Sequence, residues 1–515
     1  MRHLRLPTAF LAPGDPEKLA LMDMTITDVR AGYGSRSFSV VDVARAILSR
    51  IAKLEPRLNA FTAINERLLQ DAESIDADFA AGCHRSPLHG IPVVIKDNMN
   101  EAGVRTTAGY AGFASDDRVV DIVQGAFNGL DLVPEKDATL VARLREAGAL
   151  IVGRSNLPDF ALDGLRADSS HNGDTLNPYD ARFAPGASST GSATAVAAGF
   201  GIVSLGTDTA GSILFPASAQ SLVGLKPSFG LVPGDGIYPG LSSHHDVAGP
   251  IAKCVRDAAI LLDVLLGAAE RERHEDGLRK GALAGRAIGL FEPGQWAGEL
   301  QSVIADHYKR MVKVVEGLGA RTIPVVFGDT DWKAQWEART FFATCNSYLA
   351  GVDAFLGALG GDNPSSRAAF KEKAGFEIGL GTTAPLFGLL ANPASNVPSD
   401  DTRLAAVIGQ ATALRERYEA ILASKRIDAL FMPRSIAPLP DLTGNTLTYL
   451  NDQVVGTQVN EMGLPAITVP AGFLDDGRPI AIDIVGRARF SEAEILAFAY
   501  DFEQATLLRR SPEGL

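Results

Sequence analysis

The chain has 515 residues, 46% hydrophobic and 21% charged, an ordinary composition for a protein with a large apolar core. A net charge of −13 with no block of Lys or Arg argues against a nucleic-acid footprint, and no run of about eighteen apolar residues exists to span a membrane. Three widely spaced cysteines, Cys83, Cys254 and Cys345, give neither a disulfide framework nor a zinc motif and fit a reducing, cytoplasmic setting.

The opening MRHLRLPTAFLAPGDPEKL is interrupted by Pro7, Pro13 and Pro16 and has no apolar stretch of signal-peptide length, so residues 1–24 read as an irregular leader. Residues 40–53 carry apolar side chains at helical spacing. IPVVIKDN (91–98) reads as a buried strand that ends in a lysine. ATLVARLREAG (138–148) is a helix with Gly148 as its C-cap, and ALIVG (149–153) is the buried strand after it. The same order recurs in the small-residue helix SATAVAAGF (192–200) and the strand GIVSLGTD (201–208), which is an α/β signature. Residues 265–430 are more helical and variable, with an aromatic-rich stretch that includes Phe341, Phe342, Tyr348 and Phe355. Two strands, 465–473 and 478–487, and a helix, 492–506, close the chain. No long polar linker separates these parts, so one α/β domain over 25–515 is expected.

GASSTGS (186–192) has the glycine spacing of a phosphate loop, but Ser192 stands where that loop needs a lysine to reach the phosphates. No G-x-S-x-G elbow and no H-E-x-x-H occurs, and the adjacent His244 and His245 do not have metal-ligand spacing. A serine nucleophile still needs a base, and a desolvated lysine can serve. Lys96, at the end of an apolar strand, is the best candidate, although on local sequence alone simple pairing with Asp97 at the strand end is the commoner explanation. LGTDTAGSILFPAS (205–218) follows a strand and can aim the N–H groups of Thr209, Ala210, Gly211 and Ser212 at one point, as an oxyanion hole requires. Taken locally, it is also an ordinary strand-to-helix turn.

Five stretches together carry a wider likeness: GIPVVIKDN (90–98), ATLVARLREAGALIVGRSNLPDFA (138–161), NPYDARFAPGASSTGSATAVAAG (177–199), SLGTDTAGSILFPASAQSLVGLKPSFGLV (204–232) and GLPAITVPAGFLDDGRPIAIDIVGR (463–487). On these the chain resembles the amidase signature family of Ser-Ser-Lys hydrolases. The resemblance implies a large twisted mixed β-sheet covered by helices on both faces. It also implies Ser212 as nucleophile, Ser188 as a bridging serine after a cis peptide bond, Lys96 as base, and no metal or organic cofactor. Gly164, Leu165 and Leu214 fall where the substrate is expected. The chain departs from the family's usual pattern at Ala187, at the Asp208-Thr209-Ala210-Gly211-Ser212 turn, and at Leu214, where an arginine is frequent. The segment 112–136 is longer than usual and is expected as a loop near the site mouth or a surface insertion.

Hydrolysis of small apolar or aromatic amides through an acyl-enzyme on Ser212 is therefore the first functional expectation. Carbamate or ester cleavage is a variant on the same site. An A-type subunit of an amidotransferase comes second, because of the altered glycines, Leu214 and the extended segment, and a non-catalytic scaffold third. The expected partner is a small amide or carbamate, with no nucleic acid or membrane; a homodimer is compatible with this reading.

Overall fold

The computed structural model describes residues 19–121, 124–239, 245–267, 273–294, 296–327, 347–380, 402–444 and 452–515. Most of the leader, His244, Phe341 and Phe342 lie outside these residues.

Among the described residues, an 11-stranded mixed sheet organises the chain. Its spatial order is Phe61–Ile64, Leu150–Ser155, Pro92–Lys96, Val203–Asp208, Val247–Ala252, Val223–Lys226, Ala466–Phe473, Pro479–Gly486, Ala429–Pro433, Ala287–Leu290 and Arg321–Pro324. The strand Pro92–Lys96 runs parallel to both neighbours, Leu150–Ser155 and Val203–Asp208. All three are buried along their length, which is why they read as continuous apolar runs rather than alternating ones. Their carboxyl ends lie side by side, where open α/β sheets place their sites.

The expected elements fall within a few residues of their observed bounds. The helix Val40–Leu58 starts with a capping box in which Ser39 and Asp42 satisfy each other's backbone N–H. The helix Thr139–Glu146 ends just before Gly148, at φ +78°, whose missing side chain leaves room for the His89 ring. The helix Thr190–Ala197 packs with every residue buried. Its Gly191 approaches the chain so closely that a Cβ would stand 2.3 Å from the Ala60 carbonyl oxygen. Ser192, which spoils the phosphate-loop reading, ties this helix to the sheet: its hydroxyl donates to the Leu205 carbonyl at 2.9 Å and meets Ser155 Oγ at 2.7 Å.

The middle of the chain holds more sheet than its sequence suggests. Ala287–Leu290 and Arg321–Pro324 lie inside the portion read as helical, yet they extend the sheet in parallel beside Ala429–Pro433. The segment 112–136 forms a two-stranded ribbon, Arg118–Asp121 with Gly125–Asn128. It packs on residues 347–380 through Phe127 against Phe376, ring centroids 5.3 Å apart, and through Glu135 N–H to the Leu359 carbonyl. Tyr348 and Phe355 belong to this second apolar cluster, with Tyr110, Phe113, Phe160 and Tyr238.

Candidate active site

Lys96 ends its strand fully buried, and the structure pairs it with hydroxyls, not with Asp97. Its Nζ lies 2.8 Å from Ser188 Oγ, 2.8 Å from Thr207 Oγ1 and 3.1 Å from Ser189 Oγ. Burial pushes the Lys96 ammonium down to about 7, against the opposing pull of Asp208 and Asp246. A neutral amine at this position donates two N–H bonds and offers one lone pair to a third partner.

The three hydroxyls differ in what else they do. Ser189 Oγ donates to the Thr207 carbonyl at 3.1 Å and takes the Thr207 N–H at 3.2 Å, so its proton is committed away from the lysine. Thr207 Oγ1 already accepts the Asn98 amide at 3.1 Å. Ser188 Oγ has no partner but Lys96 among the described residues. Its proton is free to meet the amine lone pair, and of the three hydroxyls only that of Ser189 has its proton committed to another acceptor. The peptide bond between Ala187 and Ser188 is cis, as the resemblance implies.

Asp97 is instead held by Arg154, Nε to Oδ1 at 2.7 Å, and by the Thr107 hydroxyl. Arg154 is itself buried and reaches Glu101, the Met99 carbonyl and Thr106. Breaking this pair strands a buried carboxylate one residue from Lys96. Arg154→Met is expected to lower unfolding stability by about 3–5 kcal/mol in chemical denaturation. A loss under about 1 kcal/mol would show that the pair is solvated in the folded protein.

Ser212 sits on the turn after the strand Val203–Asp208, and its carbonyl accepts the Ser189 N–H at 3.1 Å, which ties the two serine loops together. Among the described residues no hydrogen bond links the Ser188 and Ser212 side chains; such contacts often close only once substrate is bound. Asp208 shapes the turn. Its carboxylate takes the N–H of Gly211 and of Ile213, each at 2.7 Å, and the Asn460 amide at 2.7 Å. This corrects one expectation: the Gly211 N–H is spent on Asp208 and does not point at a ligand. The N–H groups of Thr209, Ala210 and Ser212 have no described acceptor.

The three residues expected to face substrate lie in different surroundings. Leu214 is fully buried in the main core, because the helix Leu214–Ala219 turns it inward. Leu165 is buried with Phe183, Phe215 and Leu439 in a small separate cluster. Gly164 gives its carbonyl to the Ala187 N–H at 3.0 Å, beside Ser188. Sequence reasoning missed Thr207, Asn98, Asp208, Arg154 and Asn460. Asp208 alone carried a local signal, being an acid that opens a glycine turn.

Residues 42–496 match the family model described as Amidase. The A-type subunit of glutamyl-tRNA(Gln) amidotransferase from Alkaliphilus metalliredigens is 32% identical over 516 residues, with 94% of this chain and 97% of that one covered. The native peptide amidase of Stenotrophomonas maltophilia superposes with a TM-score of 0.78 at 29% identity, covering 95% of this chain and 98% of that one. The A-type subunit of the Thermotoga maritima glutamyl-tRNA(Gln) amidotransferase gives a TM-score of 0.68 at 25% identity, with 96% and 99% covered. The curated relatives thus carry the name that sequence reasoning had put second. By the span of the family match and by relatives alike along nearly their whole length, this chain belongs to the amidase signature family.

Proposed function

We propose that the protein cleaves amide C–N bonds by acyl transfer through Ser212. The observation that carries this is the fully buried Lys96, held 2.8 Å from a serine that has no other described partner. In the cycle, neutral Lys96 takes the Ser188 proton as Ser188 takes that of Ser212. Ser212 Oγ bonds to the substrate carbonyl carbon, and the N–H groups of Thr209, Ala210 and Ser212 receive the developing oxyanion. The proton returns through Ser188 to the leaving nitrogen and the C–N bond breaks. Water then cleaves the acyl-enzyme by the same relay. None of these steps calls for a metal or an organic cofactor. Carbamates and esters fit the same chemistry.

Two fates of the released nitrogen are supported by different observations. A free-standing amidase for uncharged amides is favoured by the likeness to peptide amidase and by the absence of a cation at position 214. An A-type amidotransferase chain, passing ammonia from glutamine to a partner, is favoured by the curated relatives. Purified chain is assayed on para-nitroanilide, carbamate, ester and peptide-amide substrates, and on glutamine with and without co-expressed partners. Turnover of simple amides by the isolated chain supports the first fate. Glutaminase activity that appears only with partners supports the second. No turnover under any condition overturns the proposed chemistry.

A further inference from the structure

Leu214 leaves no cation on the nucleophile helix, yet the fold brings a buried guanidinium to the same turn from another part of the chain. Arg434 follows the strand Ala429–Pro433 and lies over the Phe215 ring, its Cζ 4.5 Å from the ring centroid. Hydrogen bonds fix its edge: Nε to Gln453 Oε1 at 3.1 Å, Nη1 to the fully buried Asp483 at 2.6 Å, and Nη2 to the Val455 carbonyl. With its edge so engaged, Arg434 is placed to hold structure rather than to bind a substrate carboxylate.

Phe215 passes this restraint to both serine loops. Its Cε1 and Cζ lie 2.2 and 2.3 Å from where a Cβ on Gly211 would stand, so the ring rests on the backbone just before Ser212. Gly211 is at φ +105°, a conformation suited to glycine. The Phe215 carbonyl and Pro216 lie 2.8 Å from the corresponding point on Gly186, two residues before Ser188. One residue therefore touches the backbone of both loops, and Arg434 covers it.

We propose that Arg434, braced by Asp483 and Gln453, is a positioning residue that presses the Phe215 ring onto Gly211 while the Phe215 carbonyl stands against Gly186, and so sets Ser212 against Ser188. The role needs a planar cation that stacks by its face while bonding by its edge, which lysine cannot do. The inference rests on Ser212 and Ser188 being the reacting pair.

The test measures the rate of Ser212 labelling by a fluorophosphonate, per folded protein, in wild type, Arg434→Lys, Phe215→Leu and the charge-free pair Arg434→Met/Asp483→Leu. The double variant avoids a stranded carboxylate, so it reads the same quantity if a single change fails to fold. Labelling is expected to slow by between about 10- and 100-fold in all three, and kcat on any amide turned over to fall with KM nearly unchanged. Labelling of folded Arg434→Lys and of the double variant at the wild-type rate overturns the proposal. Failure of the wild type to label at Ser212 instead overturns the underlying assignment of the nucleophile.

Discussion

Ser212→Ala is expected to lose amide hydrolysis and fluorophosphonate labelling together, with turnover down by on the order of 10⁴–10⁶. The fold should survive the change. The Ser212 hydroxyl makes no hydrogen bond among the described residues, while the backbone bond from Ser189 N–H to the Ser212 carbonyl is independent of the side chain. Unfolding stability should move by less than about 1 kcal/mol. Ser189→Ala makes the informative control. Ser189 also touches Lys96, but its proton is committed to the Thr207 carbonyl, so its loss should slow labelling without abolishing it. Labelling that persists in Ser212→Ala would place the nucleophile elsewhere.

Lys96→Met has the second-largest expected effect, a loss of about 10²–10⁴ in kcat. The wild-type rate should climb as pH rises through about 7, where burial places the lysine, and then level off, because only the neutral amine accepts the Ser188 proton. The same shift has a consequence for stability. Between about 7 and the ordinary lysine value of 10.5, the unfolded chain holds a proton on Lys96 that the folded chain lacks. Stability therefore rises with pH across that window, and below it the full cost of burying the lysine remains. Lys96→Met removes this dependence. Its melting temperature relative to wild type should increase as pH falls from 10 toward 7. Lys226 and Lys253, also buried and pushed down to about 8 and about 7, are present in both proteins and cancel from the difference. A pH-independent difference would mean that Lys96 is charged in the folded state.

What could be read from the sequence follows from how local each signal is. The three parallel strands that carry Lys96, Ser155 and Asp208 were legible because strands buried on both faces run apolar without interruption. Ala287–Leu290 and Arg321–Pro324 were not, since four residues are too few to show a period and their strand character depends on the sheet they join. The local alternative for Lys96, pairing with Asp97, fails for a similar reason. Lys96 is adjacent in sequence, but successive strand residues point to opposite faces, and Arg154 reaches Asp97 from the neighbouring strand. Leu214 was placed near substrate by the resemblance, as the position where an arginine is frequent, whereas the helix that starts there turns its side chain into the core. Counting one free N–H per turn residue overstated the oxyanion donors, because Asp208 takes that of Gly211. Asn460 meets Asp208 and Arg434 meets Phe215 from more than two hundred positions away, and no local pattern marks either of them.

In the proposed mechanism a neutral buried lysine activates Ser212 through Ser188. The most direct test of this mechanism is the pH dependence of fluorophosphonate inactivation in wild type, with the adduct located by peptide mass spectrometry. A single adduct on Ser212 is expected, with a rate that rises through about pH 7 and then levels off. An adduct on another residue, or a rate flat from pH 5 to 9, would contradict it.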